Sequence, residues 1–177
     1  TTTVPAAFLL ISLFKILRLE TYLITLFLIT ALLITVGWIL SKYLKTNVMT
    51  LISLFTAFII AIDIILGSPM MKYSVLGYDP IRGARFYGLG NEYMGILIGS
   101  LVIGITLLFE KTYFTRRKLI FVSIIFAIVL LLIASPKFGT NVGGTIAASI
   151  AFTVSIIKLS NLKFNIKSFF VVILVTT

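Results

Sequence analysis

The chain has 177 residues, 60% hydrophobic and 11% charged, with a mean hydropathy of +1.20 and a formal net charge of +10. That composition is not one of a soluble globular protein, and the absence of Cys and His excludes disulfides, thiol nucleophiles, imidazole bases and zinc sites of the usual ligands. The basic residues cluster at the ends of apolar runs, which is the ordinary topology signal of membrane proteins and argues against a nucleic-acid interface.

Apolar runs bounded by charge fall near 4–14, 21–41, 47–67, 92–110, 119–135, 142–159 and from 168 onward. They predict an all-α, polytopic transmembrane helical bundle with five complete spans and a partial one at each end. The first run stops at "KILRLE", read as an interfacial piece. The 119–135 run is short, and crossing there calls for a thinned bilayer or a helix end covered by protein. The closing run, "SFFVVILVTT", has ten residues that reach about 15 Å as a helix, half of a hydrocarbon core of roughly 30 Å. With no Met at its start, the chain reads as a single transmembrane domain, 1–177, from a longer protein.

Alternate loops differ in basic charge. One side holds Lys42, Lys45, Lys111, Arg116, Arg117, Lys118, Lys158, Lys163 and Lys167; the other holds Lys15, Arg18, Lys72, Arg82, Arg85 and Lys137. The richer side is predicted to be cytoplasmic. The loops at 68–91 and 136–141 then lie on the extracytoplasmic side of a cell membrane. Glu20, Asp63, Asp79 and Glu92 also fall on or near that outer side, and only Glu110 on the inner one. Acidic residues barely affect insertion, so an outer-face site is one reason for the skew.

The outer loop carries "LGYDPIRGARFYGLGNEYMG", 76–95, with five of the chain's 12 glycines. Its G-x(4)-G lacks the Lys-Ser/Thr of a phosphate-binding P-loop, and G-x-G-x-x-G is not matched. Gly83, Gly88 and Gly90 permit positive φ or close backbone approach. Asn91 and Asn141 each stand where an outer loop enters a helix, as caps and nothing more, or as the edge of two helix N-termini that would suit an anion. Gly95 with Gly99, Gly139 with Gly143, and Gly144 with Ala148 are small pairs at helical spacing, predicted to pack the 92–110 and 142–159 helices side by side. The segments "GSPMMK" and "ASPKFGTNVGG" echo one another weakly, as a parallel repeat would.

Arg82 and Arg85, flanked by Lys72 and Lys137, read either as headgroup contacts or as holders of phosphate or carboxylate. Asp63 lies inside "FIIAIDIILG", where a carboxylate costs about 2.5–3.5 kcal/mol at the bilayer centre and less near the interface. It is a functional candidate, or a buried partner of Arg82 or Arg85. Without His, a base would be a carboxylate, Tyr or Lys, so Asp63, Asp79 and Glu92 are the catalytic candidates. The same three are compatible with a hard cation such as Mg²⁺, though no motif indicates one. Glu92 also complements a helix dipole by position alone.

"GARFYGLGN" followed two spans later by "SPKFGTNVGG" resembles a largely uncharacterised family of bacterial multi-pass membrane proteins. The resemblance covers about residues 60–150. It rests on Gly83, Ala84, Arg85, Phe86, Gly88, Gly90 and Asn91, then Ser135, Pro136, Gly139, Asn141, Gly143 and Gly144. It implies a cell-envelope location and, in some relatives, an alkaline-phosphatase-like extracytoplasmic domain, which these residues do not include; no activity carries over. The expected function is an outward polar pocket for an anionic, phosphate-bearing lipid or glycan precursor. Its substrate-binding residues would be Arg82, Arg85, Gly88, Gly90, Asn91, Lys137, Gly139, Asn141, Gly143 and Gly144. The rivals are a secondary transporter for a small anion or ion-coupled solute, and a membrane anchor for a separate enzymatic domain.

Overall fold

The structure, a computed structural model, describes residues 3–77 and 88–160. The described elements are α1 (Thr3–Ile11), which runs on into a 3-10 turn, then α2 (Leu19–Leu44), α3 (Val48–Ile65), a 3-10 turn at Met71–Tyr73, α4 (Asn91–Phe109), α5 (Arg116–Ala134) and α6 (Val142–Leu159). Helices α2 to α6 are long and apolar enough to cross a membrane. The chain is an all-helical, polytopic membrane bundle.

Helix starts are set by polar caps where an apolar run begins. The Asn47 side chain accepts from the Met49 N–H at 2.9 Å, Thr115 Oγ1 from Lys118 at 3.4 Å and Asn141 Oδ1 from Gly144 at 2.7 Å. The cap at Thr115 starts α5 three residues ahead of the apolar run, so it has 19 residues and spans about 28 Å. Arg116, Arg117 and Lys118 sit inside the first turn because long basic side chains reach the interface from a helix end. The break after α1 is narrower than "KILRLE": Lys15 turns left-handed (φ 47°), and Leu19 and Glu20 already belong to α2. The run from 168 onward lies outside the described residues.

Helices α3 and α4 form the most extensive contact, with α5 and α6 packed together and α4 also against α6; α2 touches α1 and α3 from outside. The core comprises side chains such as Ile60, Ile64, Tyr93, Leu97, Phe126 and Phe152. The Phe126 and Phe152 rings stack at 4.3 Å. Large apolar side chains such as Phe27, Phe58 and Leu131 are exposed, as they are on a surface solvated by lipid.

Small residues decide how closely these helices approach, though not the pair that the sequence pattern favours. A Cβ at Gly104 of α4 would lie 2.7 Å from Leu54 Cδ2 and 3.2 Å from its backbone N on α3. A Cβ at Gly144 would lie 2.7 Å from Met94 Cγ. Gly95 and Gly99 face open space, and so do not form the seam. The reason is rotational: Tyr93 and Leu97 take the buried face of α4, and Gly95 stands two residues, about 200°, from Tyr93. Helices α4 and α6 do lie side by side, with Gly144 and the fully buried Ala148 as the contacting small pair. Gly104→Leu is therefore expected to lower stability by about 1–3 kcal/mol in a detergent unfolding titration. Gly95→Ala and Gly99→Ala should leave it equal or slightly higher, since alanine is the better helix former by about 1 kcal/mol.

Candidate functional site

Asp63 occupies the last turn of α3 and is fully buried. Beyond it the chain reverses through Gly67 and Ser68, both at positive φ (87° and 61°), and the Ser68 N–H returns to the Asp63 carbonyl at 2.6 Å. The reversal brings the next backbone back over the carboxylate. Asp63 Oδ1 accepts from the Met70 N–H at 2.8 Å and Oδ2 from the Met71 N–H at 3.0 Å. These donors open the 3-10 turn Met71–Tyr73 and have no partner within it. A carboxylate supplies two acceptors where one buried and one part-buried donor would otherwise be orphaned. That gives Asp63 a structural role within its own chain; its expected pairing with Arg82 or Arg85 falls on residues outside those described.

The same turn presents Ser74 to α1 and α4. The Tyr93 hydroxyl lies 2.5 Å from Ser74 Oγ, which donates to the Phe8 carbonyl at 3.2 Å. With the Ser74 proton directed to Phe8, Tyr93 is the donor to Ser74. Tyr93 is fully buried, and a buried phenol needs such an acceptor.

The two motif loops meet backbone to backbone. The Leu89 N–H donates to the Gly139 carbonyl at 2.7 Å. Asn141 completes the junction: Nδ2 donates to the Leu89 carbonyl at 2.9 Å and to Asn91 Oδ1 at 3.2 Å, and Oδ1 caps α6. Its N–H donates to the Ile133 carbonyl at 3.1 Å. Both amide protons and the amide oxygen of Asn141, only 3% exposed, are thus used. Gly88 has φ 85°, and a Cβ there would come within 2.6 Å of the Gly139 carbonyl oxygen. At Gly139 a Cβ would meet the Ile133 and Leu132 oxygens at 2.5 and 2.6 Å. These two glycines let three backbone segments touch. A long bond of 3.5 Å from Ser68 Oγ to the Gly88 carbonyl joins the Asp63 turn to the same unit.

Asn91 differs from expectation. The residue capping α4 is Gly90, without a side-chain cap bond; Asn91 is the first helical residue, and its side chain serves Asn141 instead. A one-residue shift moves the amide from the helix's own N–H groups toward the neighbouring helix. Glu92 is exposed in the first turn, where its charge complements the helix dipole. Lys137 is exposed, with Nζ 5.9 Å from the Phe138 ring centroid, and Gly143 is exposed, with only Asn141 Oδ1 near an added Cβ, at 3.8 Å.

Asp63, Gly88, Gly90, Asn91, Gly139, Asn141 and Gly144 therefore belong to one connected end of the bundle, with Glu92, Lys137 and Gly143 exposed beside it. Asp79, Arg82, Gly83 and Arg85 lie outside the described residues. Among the described residues no three of His, Cys, Asp and Glu gather as a cation set would. Cavities lined by described residues lie elsewhere, among them an apolar one of about 520 Å³ between α3, α4 and α5, an apolar one of about 250 Å³ between α1, α2 and α3, and a polar one of about 480 Å³ at the opposite end. Sequence reasoning missed Tyr93 and Ser74; a Tyr one turn inside an apolar run was the available signal. No family model, curated protein or solved structure matches the chain.

Proposed function

We propose that this integral membrane protein binds an anionic, phosphate-bearing lipid or glycan precursor at the end where its two motif loops meet, on the extracytoplasmic side of a cell envelope. The carrying observation is the Asn141 junction, which holds the starts of α4 and α6 against one another. Helix N-termini carry positive partial charge, and α4 has no side-chain cap of its own. Lys137 stands exposed nearby, and Arg82 and Arg85 precede the junction in sequence by a few residues. A phosphate would be held by those guanidinium groups, which match its oxygens two at a time. Asp79 and Glu92 remain the carboxylates able to act as a base or to share a cation with that phosphate.

The test is binding of a polyprenyl phosphate to the purified protein in detergent. Arg82→Gln/Arg85→Gln should weaken it tenfold or more, as expected for losing charge-assisted bonds of about 1.5–3 kcal/mol each, while thermal stability stays within about 0.5 kcal/mol of wild type. Equal binding by wild type and the double variant would remove the anion proposal.

A second function, a membrane module that positions a separate enzymatic domain, is favoured by a different observation. The side chains of Asp63 and Asn141 are consumed by bonds within the chain. It requires no ligand at this end.

A further inference from the structure

The opposite end of the bundle has its own chemistry. There the last turns of α4 and α6 and the connection at 110–115 surround a polar groove of about 480 Å³, lined by residues including Thr106, Glu110, Lys111, Thr112, Tyr113 and Lys158. The groove is built on fixed parts. Phe109 and Phe114 meet edge to face at 5.3 Å; the Lys118 ammonium donates to the Tyr113 carbonyl at 3.1 Å and lies 5.6 Å from the Phe109 ring centroid. Lys118 is thereby occupied in holding the connection. Lys111 and Lys158 make no hydrogen bond or ion pair among the described residues, and both ammonium groups are free to meet an anion. Glu110 is the carboxylate on the same rim. Tyr113 is 96% exposed, at the level where aromatic side chains sit among headgroups.

Phe109 also lines the apolar cavity of about 520 Å³ between α3, α4 and α5. That cavity extends along α4 from Phe109 to Leu101, about 12 Å into the hydrocarbon zone, and is walled by side chains such as Ile105, Phe121, Val122 and Ile125. A basic polar groove at a helix end, sharing a wall with an apolar cavity below it, has the polarity profile of one lipid molecule.

We propose that this end is a binding site for an anionic phospholipid of the adjacent leaflet, with its phosphate between Lys111 and Lys158 and an acyl chain in the cavity between α3, α4 and α5. Basic pockets between membrane helices select anionic headgroups by charge, and the shared Phe109 wall links headgroup to chain. The site is separate from the Asn141 junction and does not depend on what binds there.

The test titrates the full protein in neutral detergent with phosphatidylglycerol and with phosphatidylcholine of the same acyl chains, and counts retained lipids by native mass spectrometry. Phosphatidylglycerol should be retained at about tenfold lower concentration. Lys111→Gln/Lys158→Gln should erase that preference, whereas Lys42→Gln/Lys45→Gln, which removes equal charge from the same end, should keep it. Ala61→Phe, which fills the cavity, should weaken both lipids and leave their ratio unchanged. Each comparison is repeated in an Arg82→Gln/Arg85→Gln background, so that anionic lipid held at the Asn141 junction is not counted. A preference that survives Lys111→Gln/Lys158→Gln, or that Lys42→Gln/Lys45→Gln abolishes equally, overturns the site in favour of diffuse surface attraction. Displacement of phosphatidylglycerol by millimolar inorganic phosphate overturns it in favour of a free-anion site. Retention unaffected by Ala61→Phe removes the acyl half of the proposal.

Discussion

Asn141→Ala is expected to destabilise the bundle by about 2–3 kcal/mol, among the largest single losses available in this chain. Three contributions add. Losing a side-chain cap costs about 1 kcal/mol. The Leu89 carbonyl and Asn91 Oδ1 each lose a bond from the amide, worth about 0.5–1.5 kcal/mol apiece. Hydrogen bonds between membrane helices average only about 0.6 kcal/mol, so the total sits toward the lower end of the simple sum. Asn141→Ser should recover about 1 kcal/mol by restoring an acceptor for the Gly144 N–H without restoring the bridge. Asn141→Asp retains that acceptor but turns an oxygen toward the Leu89 carbonyl and Asn91 Oδ1, and should be as damaging as alanine. Denaturant titration in detergent reads the sizes, and amide exchange at Leu89 and Gly144 reads the location. A loss under about 0.5 kcal/mol for Asn141→Ala would mean that the loops hold together without it.

Asp63→Ala should cost a similar amount, about 2–4 kcal/mol, for a different reason. It strands two backbone donors, the part-buried Met70 and the buried Met71, that have no acceptor in their own turn. Asp63→Asn keeps one acceptor and sets an amide N–H against the other donor, so about half the loss should remain. Exchange at Met70 and Met71 should rise in both variants, and the Ser74 to Tyr93 contact should loosen with the turn that carries it. Unchanged stability and exchange in Asp63→Asn, with ligand binding lost, would make Asp63 a functional group and not the cap of a turn.

The spans were readable because charged residues bound apolar runs, and α2 to α6 start and end within a few residues of those runs. What was not readable is rotation. Among membrane helices both faces are apolar, so 92–110 carries no amphipathic stripe to tell which side turns inward. Gly95-x3-Gly99 was the more regular pattern and Gly104 the lone glycine, yet Gly104 meets Leu54 and the pair meets nothing. Asp63 was found by its cost in an apolar run. Its partners were hidden because they are backbone N–H groups seven and eight residues onward, which no residue type announces. Asn141 was legible as a cap. Its second bond set was not, because it depends on Gly88 and Gly139 letting two loops touch.

A phosphate-bearing ligand held against the joined starts of α4 and α6, as proposed, would cover the exposed Gly143 beside Asn141. The chain has no cysteine, so Gly143→Cys introduces the only thiol, at an exposed position whose nearest neighbour to an added Cβ is Asn141 Oδ1 at 3.8 Å. The rate of its modification by a membrane-impermeant maleimide, with and without polyprenyl phosphate, measures occupancy directly. The ligand should slow labelling about tenfold or more in the Gly143→Cys protein and have no effect once Arg82→Gln/Arg85→Gln is added, matching a charge-assisted contact of about 1.5–3 kcal/mol. Labelling at one rate with and without ligand, in a protein that still binds polyprenyl phosphate, would place the ligand elsewhere than at the Asn141 junction.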